Sequence, residues 1–283
     1  MTDLAWALLR IAAFVLVLQA AGLGLFRLTV ARGLPSSGAP LGAAARRIAL
    51  AALVTVIAQC AIEPAHLGGD FSALLDPSLG RLAFTSSGAE LLTRLAGAAC
   101  LALGARPGAP PSRLLTIAGA ALAVLSFGLT GHVAASRAWL PLSGLLLFHV
   151  AVVSWWLGAL LALYRAARLE APAHMAMALE AFSRVALRLV PAIALAGIAM
   201  AAVLLPDVAS LWRPYGLLLL TKAALFAALM GLAAVNRLAL TARIAAGATA
   251  ALQTLRGTLL AECLLMVAAL AATALMTGLY SPS

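Results

Sequence analysis

The sequence predicts an all-α, polytopic integral membrane bundle of eight transmembrane helices with both termini on the outer side, and three observations predict it. Of the 283 residues 64% are hydrophobic and only 10% charged, and the mean hydropathy is +1.08, too apolar for a soluble domain and far from disordered composition. Apolar runs long enough to cross a hydrocarbon core of about 30 Å, at about 1.5 Å per helical residue, recur along the whole chain. The arginines, finally, alternate between successive loops.

The runs lie at roughly 4–29, 43–62, 84–103, 114–131, 141–163, 183–205, 215–236 and 257–279, in one transmembrane domain over 1–283. The first lacks a basic n-region and exceeds a signal peptide's apolar segment, so it is expected to be a retained helix. The third is the least apolar: it contains Glu90 and Arg94 and should be tilted or shielded by neighbours. In the fifth, Ser154, Gly158 and Ala162 at fourfold spacing would let another backbone approach closely. No internal repeat stands out.

Loop charges set the orientation. Arg27, Arg32, Arg46 and Arg47 flank the first loop, Arg106 and Arg113 the third, Arg165, Arg168, Arg184 and Arg188 the fifth, and Arg237, Arg243 and Arg256 the seventh. The even loops hold Arg81, Arg137 and Arg213 with most of the acids, so the odd loops are read as cytoplasmic. The second loop, Glu63 to Glu90, should be the longest outer segment. Its Glu63, His66 and Asp70 are either a solvated acidic loop or a site that collects a cation at the outer mouth.

Several function classes are excluded. The net charge of +10 comes from arginines at the ends of apolar runs, with no basic patch interleaved with aromatics, so the expected partner is the lipid bilayer and not nucleic acid. Cys60, Cys100 and Cys263 are isolated and support neither a disulfide framework nor a thiolate metal motif. No GxxxxGK[ST] motif is present, which argues against direct ATP hydrolysis. No catalytic residues are expected.

Function should therefore reside in the few polar residues inside apolar runs, because an uncompensated polar group in hydrocarbon costs several kcal/mol. His132, after the fourth run, should lie at a mouth, and His149 about 12 Å into the helix that starts at Pro141. Trp156, seven residues past His149, falls on nearly the same face. Lys222 lies about 12 Å past Pro214, hence at the depth of His149, and either faces inward or snorkels along its stem. It shares a stripe with Asn236. On the last helix Glu262, Met266, Thr273 and Met276 share one face, either a track for a soft cation or packing filler. Glu262 needs a partner, with Asn236, Arg237 or Arg256 at similar depth. The candidate metal-ligating residues are thus His132, His149, Met276, Met200 and His66. Trp156, Lys222, Asn236, Glu262, Met266 and Arg10 are candidates for the pathway around them.

These residues also occur in a familiar order. Gly131-His132-Val133-Ala134, the segment from Phe148-His149 to Trp156-Leu157-Gly158, Arg213-Pro214-Tyr215-Gly216-Leu217-Leu218 leading to Lys222, Asn236-Arg237, and Leu255-Arg256 with Glu262 resemble the copper resistance protein D family. So does the eight-helix layout. The similarity runs close to the full chain, strongest from about residue 84, where Thr85 to Gly88 and Arg94 also look similar. The resemblance implies an inner-membrane protein of copper homeostasis; with the outward termini read from the loop charges, both ends would then be periplasmic, and no enzymatic activity is expected. It would move copper ions from periplasm to cytoplasm through His132, His149, Trp156, Lys222 and Glu262, beside a periplasmic carrier of the CopC type that is not expected to be fused to this chain. Imidazole, thioether and carboxylate together leave the copper valence open. Two other readings compete. One is a membrane haem or redox protein with His132 and His149 as axial ligands; the other is a receptor or assembly subunit that transports nothing.

Overall fold

The computed structural model describes residues 2–106, 110–129, 139–205 and 207–279, and among these every regular element is helical. The helices are α1 (Thr2–Thr29), α2 (Gly38–Gly68), α3 (Pro77–Gly104), α4 (Arg113–Leu125), α5 (Trp139–Leu169), α6 (Pro172–Leu204), α7 (Pro214–Val235), α8 (Thr241–Ala245) and α9 (Thr249–Leu279). A π-helical turn, Asn236–Leu240, joins α7 to α8. Each apolar run of the sequence falls on one of the long helices or on α4. Six stretches are long and apolar enough to cross a membrane: α1, α2, α5, α6, α7 continued through α8, and α9. The chain is a multi-pass membrane protein.

The remaining two apolar runs differ from these six for separate reasons. Helix α4 with its following turn, Arg113–Gly128, is short. Helix α3 is long but carries the Glu90–Arg94 pair, buried together within the bundle. Arg94 also donates from Nε to Ser126 Oγ at 3.2 Å, and its guanidinium lies over the rings of Phe127 and Phe14, at 4.7 and 5.3 Å. Shielding by α1 and α4, one of the two expectations for this segment, is what makes a buried charge tolerable.

The expectation of a long outer loop between Glu63 and Glu90 is corrected. Helix α2 runs on to Gly68, α3 starts at Pro77, and only Gly69 to Asp76 connect them. The helices extend beyond the apolar runs because their polar residues find partners: Glu63 accepts from Trp6 Nε1 at 2.8 Å and from Ser87 Oγ at 3.3 Å. Gly69, with φ of 82°, closes α2, and Asp76 caps α3 ahead of Pro77. Outside the membrane-spanning segments, the Ser78 hydroxyl and amide hold the Asp76 carboxyl below the usual carboxylate range. The cap is complete above that range and is lost only as pH falls through the lowered value.

Helix α1 is the hub. It packs on α2, α3 and α4 on one side and on α5 and α9 on the other, so two core clusters meet along it. Its contact with α5 is backbone on backbone: a Cβ added at Gly22 would collide with the Ser154 carbonyl, and one at Gly158 with the Gly22 backbone. Ser154 Oγ donates to Leu18 O at 2.9 Å across the same crossing. Small residues that permit close approach are how membrane helices associate without a hydrophobic driving force.

The ends of the helices fall into two sets. Thr2 bonds Gly69 O, and Arg10 reaches Thr277, so the start of α1, the α2–α3 connection and the end of α9 lie at one end of the bundle. At the other end Ser37 donates to Glu170 Oε1 at 2.6 Å, tying the first connection to the α5–α6 corner. In thermal unfolding of the detergent-solubilised protein, Gly158→Val should cost about 3 kcal/mol, as overpacking against fixed backbone does. Gly144→Ala on the same helix, where nothing lies within 4 Å of the added Cβ, should be neutral or stabilising by up to about 1 kcal/mol.

Candidate functional site

Helices α5, α6, α7 and α9 carry a line of polar side chains. At its upper level His149 on α5 leans on α6, next to the Ile193 backbone, and a Cβ on Gly197 would stand 3.8 Å from its Cε1. Lys222 on α7 is close enough for its charge to act on the imidazole, as the equal depths estimated from Pro141 and Pro214 require. Both side chains are partly buried, and His149 Nδ1 is enclosed without a hydrogen-bond partner.

Two turns further along α5, Trp156 is buried and directs its indole N–H at Glu262 of α9 without closing a regular hydrogen bond. Glu262 is 1% exposed, and its Oε1 accepts from Asn236 Nδ2 at 2.5 Å. Thr258, one turn before Glu262, donates from Oγ1 to Asn236 Oδ1 at 2.5 Å. The carboxylate thus has the amide partner expected of it, and among the described residues it closes no ion pair. Asn236 opens the π-helical turn, a local widening of the helix that recurs at functional sites, and Thr241 Oγ1 bonds the Asn236 carbonyl at 2.9 Å.

Glu262, Asn236 and Trp156 line a cavity of about 390 Å³ together with Ser183, Arg237 and Thr241, and its remaining walls are apolar, among them Phe182, Leu187, Val190, Pro191 and Met230. Pro191 sits inside α6, where its missing N–H leaves the Leu187 carbonyl without the usual helical bond. A second cavity, also about 390 Å³, shares Ser183, Arg237 and Thr241 with the first and adds Glu180 and Arg184, which are exposed. The buried carboxylate is therefore connected to a charged mouth.

Other candidates from the sequence lie elsewhere. His66 stacks on Trp6 at 4.0 Å, and its Nδ1 faces Asp3 Oδ1 at 2.8 Å. Arg10 lies over Trp6 and Phe14, at 5.2 and 5.1 Å, and bonds Thr277 at 3.4 Å. Met276 is buried next to Thr277, whereas Met266 lies in the core one turn past Glu262 and Met200 is half-buried near the end of α6. Thus His66, Arg10 and the end of α9 form one polar cluster around Trp6, separate from the Glu262 cavity. His132 lies outside the described residues. Among the described residues no three His, Cys, Asp or Glu side chains are grouped to hold a metal ion. The three cysteines are free and partly buried.

The family model for the N-terminal domain of copper resistance protein D-like proteins matches residues 1–142, half of the chain, and that for copper resistance protein D matches residues 176–276. The chain belongs to the copper resistance protein D family. No curated protein and no solved structure matches it significantly. The two family segments meet the fold at its seam: the first ends at the start of α5, and the second begins within α6. Asn236 of the π-helical turn and Thr258 of α9, which build the Glu262 site, both fall within the second.

In this copper resistance protein D chain, sequence reasoning missed three side chains near the site. Thr258 was legible as the residue one turn from Glu262 on the same face. Ser183 and Thr241 carried no signal, since a hydroxyl near a charged helix end looks like any surface residue. The Glu262–Asn236 pairing yields a prediction: Asn236→Leu strands a buried carboxylate and should cost about 1–3 kcal/mol in thermal unfolding. The Asn236→Leu, Glu262→Leu double variant should recover most of that loss, giving a measurable coupling in the double-mutant cycle.

Proposed function

We propose that this copper resistance membrane protein carries copper ions from the periplasm towards the cytoplasm through the α5–α6–α7–α9 half of the bundle. One observation carries the reading. In a chain of this family, His149 and Lys222 stand above Trp156, Glu262 and Asn236 on facing helices, and the lower group opens through a cavity to a charged mouth.

Imidazole ligates either copper oxidation state, and a carboxylate further along offers a harder site that releases a soft ion readily. Transport requires such sites in series, each weak enough to let go. His149, joined by His132 at the outer mouth, is the entry; Lys222 beside it sets the local potential against overfilling, and Glu262 with its neutral partners is the inner relay. Met276, Met200 and His66 serve as outer collecting ligands on this reading, and copper is the cargo, with no catalytic step.

The orientation that goes with it has eight spans, α3 and α4 included, in the bacterial inner membrane. The arginine-rich odd loops are cytoplasmic and both termini periplasmic. A periplasmic carrier of the CopC type would hand copper to the His66–Asp3 end. Reporter fusions test the topology: an active cytoplasmic reporter at Ser283, with none in the loop at Glu170, would overturn it.

For the function itself, His132→Ala and His149→Ala should each abolish copper-dependent accumulation in cells with matched protein levels, because each removes a ligand. The Cys100→Ala, Cys263→Ala double variant should retain most of it. If the histidine variants accumulate copper like the parent while the purified parent shows a Soret band that they lose, haem binding replaces transport.

A further inference from the structure

We propose that the opening between α6 and α7 is a site for one membrane phospholipid bearing both a phosphate and an ammonium, of the phosphatidylethanolamine kind. Its phosphate would sit between Arg184 and Arg237, its ammonium on Glu180, and one acyl chain in the apolar cavity behind them. This goes beyond the copper reading and does not depend on it, but it uses the same cavity: a bound acyl chain would close the opening from Glu262 to the mouth while it is there.

Four observations converge. Helices α6 and α7 barely touch each other; α6 is held by α5 and by the short α8, and α7 by α9. A seam is therefore left on the lipid-facing side, where Leu187, Leu195 and Ile198 of α6 and Leu217 and Leu238 beyond it are exposed. Behind the seam lies the cavity of about 390 Å³, a volume typical of small-molecule sites, walled mainly by apolar side chains such as Phe182, Leu187, Val190 and Met230, with Glu262 and Asn236 also lining it. Continuous with it through Ser183, Arg237 and Thr241 is the second cavity of about 390 Å³, with Arg184 and Glu180 on its rim. An apolar compartment joined to a polar one, with the junction at the end of a hydrophobic helix, has the plan of a lipid tail joined to a headgroup.

The rim charges fit the head. Glu180 and Arg184 are one helical turn apart, close enough to pair, yet neither they nor Arg237 take part in the ion pairs found among the described residues. Both rim groups and Arg237 are thus left for an outside partner. Two guanidiniums match the oxygens of a phosphate, Ser183 adds a hydroxyl donor, and the single carboxylate matches an ammonium. Basic pockets between helices at the membrane surface hold lipid heads in this way.

The test uses the full-length chain purified in detergent, without copper, so its failure leaves the copper reading untouched. Native mass spectrometry follows titration with phosphatidylethanolamine, phosphatidylglycerol or diacylglycerol. One phosphatidylethanolamine per chain should bind, phosphatidylglycerol more weakly, and diacylglycerol not at all. Arg184→Gln with Arg237→Gln should lower phosphatidylethanolamine occupancy roughly tenfold or more, and Glu180→Gln should bring phosphatidylglycerol level with it. Ala186→Trp, which fills the apolar compartment and spares the rim, should also abolish binding. If the arginine pair proves needed for folding, the Glu180 and Ala186 variants still decide. No adduct on the parent, equal binding of diacylglycerol, or full binding by the folded variants would overturn the proposal. A mass of two chains without lipid would instead assign the face to a second copy.

Discussion

The contact on which the rest of the structure depends is the backbone crossing of α1 and α5 at Gly22, Ser154 and Gly158. It holds the two core clusters together, and it also fixes the rotation of α5. At about 100° per residue, Trp156 points about 160° away from Gly158, and His149, nine residues before Gly158, about 180° away. Once Gly158 faces α1, the histidine and the tryptophan must face α6, α7 and α9. The small residues and the site residues are thus two faces of one helix, and a side chain at Gly158 would disturb the site from the opposite side.

The bundle buries its carboxylates by different means. Glu90 is paired with Arg94 in the same helix, and the pair is enclosed by aromatic rings and Ser126. Glu63 is held by an indole and a hydroxyl. Glu262 is held by an amide and faced by an indole. A full ion pair repays part of the desolvation cost but fixes both members, because separating them leaves a charge uncompensated in low dielectric. Neutral partners repay less and hold less firmly. The carboxylate that opens on a cavity has this looser arrangement, as does Glu63, whereas Glu90 carries the rigid one.

Much of this was legible in the sequence, because in a bilayer the hydrophobic period decides helix positions and little competes with it. The small-residue spacing of Ser154 and Gly158 marked the crossing, although Gly22 could not be named without knowing which helix would face it. The depths of His149 and Lys222 followed from counting from two prolines. The extent of α2 and α3 was misread, since hydropathy ends a helix where polar residues begin, and Glu63 and His66 are polar. Their partners on α1 and α3 are distant in sequence, and only the folded chain brings Trp6, Asp3 and Ser87 to them. The same distance hid the separation of His66 and Arg10 from the Glu262 cavity. In a list of intramembrane polar residues they look alike.

The two halves of the molecule differ in how tightly they are built, and the difference falls where function would need it. Around α1, helices α2, α3 and α4 enclose each other, with glycines such as Gly97 and Gly119 against neighbouring backbone. In the other half α6 and α7 bury little of themselves. Their two departures from regular α-helix, Pro191 in α6 and the π turn at Asn236–Leu240, lie on either side of the same cavity. Each frees or redirects backbone hydrogen bonds that would otherwise resist bending, which is the usual physical cause of a helix kink. Helices that barely touch, and that carry their irregular turns at the cavity wall, can change its width without breaking a packed interface. The rigid crossing at Gly22 and Gly158 keeps His149, Trp156 and α1 in place while they do so.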